Sequence, residues 1–123
     1  MKKLFPFLFS LISVYSMAGT DPMVAYTMMM EGKAALIDVR EKHEIEAGMV
    51  KGALWFPLSH VRGNNNWKAD FEKLVGDKEP LFIYCRSGRR SENFRKILEE
   101  ENIPSENLGG FQILQNILPT INQ

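Results

Sequence analysis

Cysteine is nearly absent from this chain, which carries one among 123 residues, and histidine is scarce at two. One thiol excludes an intramolecular disulfide, and one thiol with two imidazoles cannot build a cysteine-rich zinc site. A thioredoxin-like oxidoreductase is disfavoured as well, because there is no second, resolving cysteine. Excess charge of either sign is also lacking, since 15 Lys and Arg balance 15 Asp and Glu. That balance removes the basic footprint of a nucleic-acid binder and leaves no acidic tail. No apolar run reaches the roughly 20 residues that a membrane-spanning helix needs. What is present is 45% hydrophobic and 24% charged, the composition of a globular protein, at a length that fits one domain.

The first residues have a different character. Met1-Lys2-Lys3 is a short cationic start, residues 4–14 are apolar, and Ser16 and Ala18 occupy the small positions of a cleavage site. These are the parts of a secretory signal, so residues 1–18 are expected to be cut off after Ala18 and the protein to reach a bacterial periplasm. An uncleaved anchor needs a longer apolar run. A lipid anchor needs a cysteine just after it, and none is there. Cleavage would take Lys2 and Lys3 away and leave 13 basic against 15 acidic side chains on residues 19–123.

Along those residues, apolar runs alternate with helix-prone stretches. Pro22 to Glu31 reads as a helix closed by Gly32, with Met23, Met28, Met29 and Met30 as core filler. Residues 34–37, 53–56 and 81–84 read as buried strands. Glu41 to Ala47 and Trp67 to Val75 read as helices, the second capped by Asn66. A helix from Ser91 to about Glu101 places Phe94, Ile97 and Leu98 on one face. Asn107-Leu108 reads as a last short strand, Gly109-Gly110 as a tight turn, and Phe111 to Leu118 as a terminal amphipathic helix. Alternation of this kind predicts an α/β fold, a small mostly parallel sheet with helices on both faces. Trp55 and Trp67 read as packing anchors, His43 as solvated, and His60 as too isolated to ligate a metal.

The single thiol is placed where chemistry is expected. Cys85 ends the third strand and is followed by Arg86-Ser87-Gly88-Arg89-Arg90-Ser91. In open α/β sheets, ligands bind beyond the carboxyl ends of the strands. There the unpaired N–H groups and positive dipole end of the next helix favour a thiolate. Arg86, Arg89 and Arg90 add positive charge, and Gly88 lets the backbone curl into an anion cradle. Cysteines in such settings titrate low and act as nucleophiles. A structural cysteine needs no such surroundings.

The stretch from Ile83 to Ser91 resembles the active-site loop of rhodanese-fold sulfurtransferases. Three further blocks agree in order: Leu36-Ile37-Asp38-Val39-Arg40, Gly48 to Ala53 leading to Pro57, and Asn107-Leu108-Gly109-Gly110. The resemblance covers residues 23 to about 118 and is greatest to the exported single-domain, phage-shock protein E type. It implies a rhodanese fold and a reaction in which Cys85 takes sulfane sulfur from thiosulfate or a related donor, becomes a persulfide, and passes the sulfur to cyanide or a thiol. It implies no metal and no organic cofactor. By position, the backbone of Arg86, Ser87, Gly88, Arg89, Arg90 and Ser91 would surround the persulfide, with Arg86 and Arg89 meeting the donor and Arg90 bracing the loop. Asp38 and Arg40 match a strand-end pair expected to support the site. Two departures stand out: Met49 replaces a common histidine, and the tryptophan that often follows the double glycine is missing.

Other classes remain in view. A tyrosine phosphatase needs arginine six residues after the cysteine, and Ser91 stands there, with Arg90 one position short. A persulfide carrier or redox-sensing module would use the same loop without turnover, so the sequence leaves that alternative open. Neither nucleic acid nor, after cleavage, a membrane is expected as a partner.

Overall fold

The computed structural model describes residues 19–122, so the leader expected at residues 1–18 lies outside the described residues. The elements, in chain order, are α1 (Pro22–Met30), β1 (Ala35–Asp38), α2 (Lys42–Glu46), β2 (Met49–Val50), β3 (Leu54–Trp55) and α3 (Leu58–Gly63). They continue with α4 (Trp67–Val75), β4 (Leu81–Cys85), α5 (Arg89–Glu100), β5 (Glu106–Gly110), α6 (Phe111–Leu114) and β6 (Thr120–Ile121). Four strands form one sheet in the order β3-β1-β4-β5, with every pairing parallel. This is the predicted α/β architecture.

The pleat explains why both faces are covered. Side chains alternate along each strand, so β1 and β4 each feed two cores. Ala35, Ile37, Leu81, Ile83 and Cys85 face one side, where Phe71 of α4 and Phe94 and Leu98 of α5 pack on them. Leu36, Phe82 and Tyr84 face the other, against Ala25 and Tyr26 of α1 and Leu114 of α6. Strands buried on both faces read as continuous apolar runs rather than alternating ones. Residues 81–85 do so, and all five are buried.

Several local expectations need correcting. β3 is an edge strand, and Trp55 at its end is 38% exposed, so the run from Ala53 to Phe56 is not a fully buried strand. Trp67 does pack on the core, edge to face with Phe94. Met23 and Met30 lie on the solvent side of α1, whereas Met28 and Met29 pack inward. The Asn66 side chain does not cap α4; instead Asn64 Oδ1 accepts from Asn66 N at 2.8 Å. Residues after Pro57 form α3 rather than a turn alone, and His60 Nε2 on it lies 2.9 Å from Asp70 Oδ2. The terminal helix stops at Leu114 because the chain turns back to pair β6 antiparallel with β2. Met49, at the position of the common family histidine, is buried in that pair opposite Ile121.

Candidate active site

The carboxyl ends of β1, β4 and β5 bring Asp38, Cys85 and Gly110 to one edge of the sheet. Cys85 is the last residue of β4 and is 1% exposed. The chain then passes through Arg86 and Ser87 to Gly88, which caps α5 with φ +103°. Only glycine adopts that conformation without strain. The helix begins at Arg89, two residues earlier than predicted, so the loop is tight and the first-turn N–H groups are close to the sulfur. Gly88 N donates to Cys85 Sγ at 3.0 Å, and Ser91 Oγ lies 3.3 Å from the same atom.

Those donors set the charge on sulfur. Burial pushes the Cys85 thiol up; the Ser91 hydroxyl and the backbone N–H groups of Ser91, Gly88 and Ser87 outweigh it, so the thiol titrates below its ordinary value. The N–H groups expected of the helix start and the Gly88 curl are thus among the causes, while arginine charge is not among the main ones. Arg86 and Arg89 are exposed at the mouth of the loop. Arg90 turns away to a bidentate pair with Glu44 of α2, at 2.7 and 2.8 Å. Here Arg90 braces the loop against α2, across 46 positions of sequence.

Glu44 is a residue that the sequence motifs did not single out. The hydrogen bond from Arg90 is the largest influence on its carboxyl and, against the effect of burial, brings its pKa to about 2. It also accepts from the backbone N–H of Glu41 at 2.9 Å, which ties the start of α2 to the same pair. A depressed carboxyl pKa contributes stability that is present above the unfolded value of about 4.3 and lost as pH falls through the folded one. The Glu44→Gln variant is therefore expected to be less stable than wild type at neutral pH, by about 1–2 kcal/mol. That gap should close between pH of about 4.5 and about 2. Urea titrations across that range check it, and a gap independent of pH would contradict the pairing.

Asn107 of β5 was also missed as a site residue. Its Oδ1 accepts from Ser91 Oγ at 2.8 Å and from Gly109 N at 3.0 Å, while its Nδ2 donates to Gly88 O at 2.9 Å. Gly109 and Gly110 are the end of β5 rather than a turn. Gly110 lies directly under the loop, where an added Cβ would collide with the Arg86 carbonyl oxygen and come within 2.6 Å of Ser87 Cα. Gly110 is thus a floor without a side chain for the cradle, and Gly109 is set by its φ of +104°.

Asp38 and Arg40 occupy the opposite face of the sheet from Cys85, in line with the pleat. Their side chains pair at 2.8 Å and are 0% and 5% exposed. Arg40 Nη2 also donates to Gly48 O at 2.7 Å, and its guanidinium lies 4.2 Å from the centre of the Phe111 ring. Phe111 opens α6, and Gln112 N of the same helix donates to Arg86 O at 3.3 Å. The pair thereby reaches the active loop through α6. At the other end, Trp55 Nε1 donates to Arg40 O at 2.8 Å.

The arrangement is a buried thiol whose titration is lowered by hydrogen bonds, with exposed Arg86, Ser87 and Arg89 in the loop that follows it. The family model for the rhodanese-like domain matches residues 21–116. The chain belongs to the rhodanese-like domain family. YtwF of Bacillus subtilis is 41% identical over 75 residues, which cover 61% of this chain and 66% of that protein. Human thiosulfate:glutathione sulfurtransferase is 31% identical over 71 residues, 52% of this chain and 62% of that one. The chain spans less than two thirds of the length of either relative. Among solved structures, a rhodanese with anions from E. coli superimposes with a TM-score of 0.61 at 27% identity, covering 73% of this chain and 99% of that one. The fold is therefore the rhodanese fold, as the motif resemblance implied.

Proposed function

We propose that this protein is a sulfurtransferase that carries sulfane sulfur on Cys85. In the loading step, Cys85 Sγ as thiolate attacks the outer sulfur of thiosulfate or a similar anionic donor; the donor's S–S bond breaks and its electron pair leaves with sulfite. The product is a persulfide anion. In discharge, cyanide or a thiolate attacks the outer sulfur, the new bond forms there, and the Sγ–S pair returns to Cys85. The reading rests on one observation: the single thiol lies buried within hydrogen-bond reach of Gly88 N at 3.0 Å and of Ser91 Oγ at 3.3 Å, donors that favour its thiolate form. Arg86 and Arg89, exposed at the loop mouth, attract the anionic donor, while Asp38 and Arg40 support the loop from behind. The name of the human relative supports the reaction class.

A thiocyanate-forming assay with thiosulfate and cyanide tests the reading. Turnover is expected. No turnover and no sulfur uptake would contradict it, and uptake without turnover would make the protein a carrier instead. We also propose that residues 1–18 are a cleaved leader of the phage-shock protein E type and that the protein works in a periplasm. The mass of protein recovered from that compartment should match a chain starting at Gly19, and a cytosolic chain retaining Lys2 and Lys3 would refute it.

A further inference from the structure

Ser91 has one hydroxyl hydrogen and two acceptors. Its Oγ lies 3.3 Å from Cys85 Sγ and 2.8 Å from Asn107 Oδ1, and the residue is 0% exposed. Water therefore cannot stand in for either partner, and the hydrogen must choose. An ionised acceptor wins such a contest, because hydrogen bonds to charged groups are roughly twice as strong as neutral ones.

We propose that the Ser91 hydroxyl is a two-position rotor that follows the charge on Cys85 and assists chiefly the discharge of the persulfide. This deepens the sulfur-transfer reading and rests on it. When Sγ is a thiolate, Ser91 donates to it. Once Sγ is bonded to the transferred sulfur, the negative charge sits on the outer atom and Sγ becomes a poor acceptor. The hydrogen then turns to Asn107 Oδ1, which otherwise accepts only from Gly109 N among the bonds described for it. As cyanide attacks the outer sulfur, Cys85–S–S⁻ and CN⁻ become Cys85–S⁻ and SCN⁻. The Sγ–S electron pair collects on Sγ, and the hydroxyl swings back to receive that charge. No proton is transferred; it only changes partner. Asn107 is a positioning residue, since it touches the reacting sulfur only through Ser91 and the loop carbonyl of Gly88.

The two half-reactions separate this role from a structural one. Loss of a donor to the thiolate makes Sγ a better nucleophile and a worse leaving group. Pre-steady-state measurements should follow persulfide formation from thiosulfate, and separately thiocyanate release from loaded protein and cyanide. Both are taken on the alkaline plateau where Cys85 is fully ionised. In Ser91→Ala, discharge is expected to slow while loading holds or quickens, so that their ratio falls at least about tenfold. In Asn107→Ala the persulfide state loses its resting place for the hydrogen, so the ratio should hold or rise. Any loss through the loosened Gly88 carbonyl slows both halves and cancels in the ratio. Equal slowing of both halves in Ser91→Ala, or a lowered ratio in Asn107→Ala, would overturn the rotor while leaving sulfur transfer intact. A wild-type protein that takes up no sulfur would overturn both.

Discussion

Cys85→Ser is expected to lower sulfur transfer at least about a thousandfold, to the background of the assay. The reason is electronic rather than steric. The donors around Sγ lower the pKa of the thiol and favour its thiolate, but a serine hydroxyl ionises far above the working pH and needs a neighbouring base to attack. None of the groups described as bonding the sulfur can act as one, because Gly88 N and Ser91 Oγ are donors in this arrangement. The fold should be indifferent to the exchange, since a hydroxyl can still accept from Gly88 N and the Ser91 hydrogen has Asn107 Oδ1 to turn to. Thermal unfolding within a few degrees of wild type, together with lost turnover, is the expected pair of results. Substantial residual turnover would place the reacting group elsewhere.

Arg40→Ala is expected to have the largest effect on stability. It removes the cation from Asp38, whose side chain is 0% exposed. Removing one partner of a buried ion pair costs about 3–5 kcal/mol, because the remaining charge stays buried without compensation. For a domain of this size that corresponds to a fall in Tm of more than about 10 °C. It would also release Gly48 O and the face of Phe111, so activity should fall with stability. The combined Asp38→Asn and Arg40→Ala variant removes the stranded charge and should recover part of the loss. A melting temperature unchanged in Arg40→Ala would show that the pair contributes nothing.

The parts of this structure that could be read in the sequence are those with a local signature. The run from Leu81 to Tyr84 is continuously apolar because both of its faces are buried, and Cys85 follows it immediately. Phe94, Ile97 and Leu98 mark the inner face of α5 by spacing alone. The partners that position the site have no such signature. Glu44 meets Arg90 from 46 residues away, and in sequence it is one acid among several on a polar helix. Asn107 meets Ser91 across 16 residues, through a pairing of β4 with β5 that no local pattern encodes. The backbone cradle expected from the helix start and Gly88 does lower the thiol, whereas the arginines counted beside it are not among the main causes, because a side chain's destination is not written in its spacing. β2 and β6, at two residues each, are too short to show any period.

Transfer by this route requires that Cys85 itself carry the sulfur. Intact-mass and peptide mass spectrometry of the wild-type protein after thiosulfate treatment tests it most directly. One added sulfur atom is expected, located on the peptide containing Cys85, lost on addition of cyanide and absent from Cys85→Ser. An unmodified Cys85 in protein that still produces thiocyanate would contradict it.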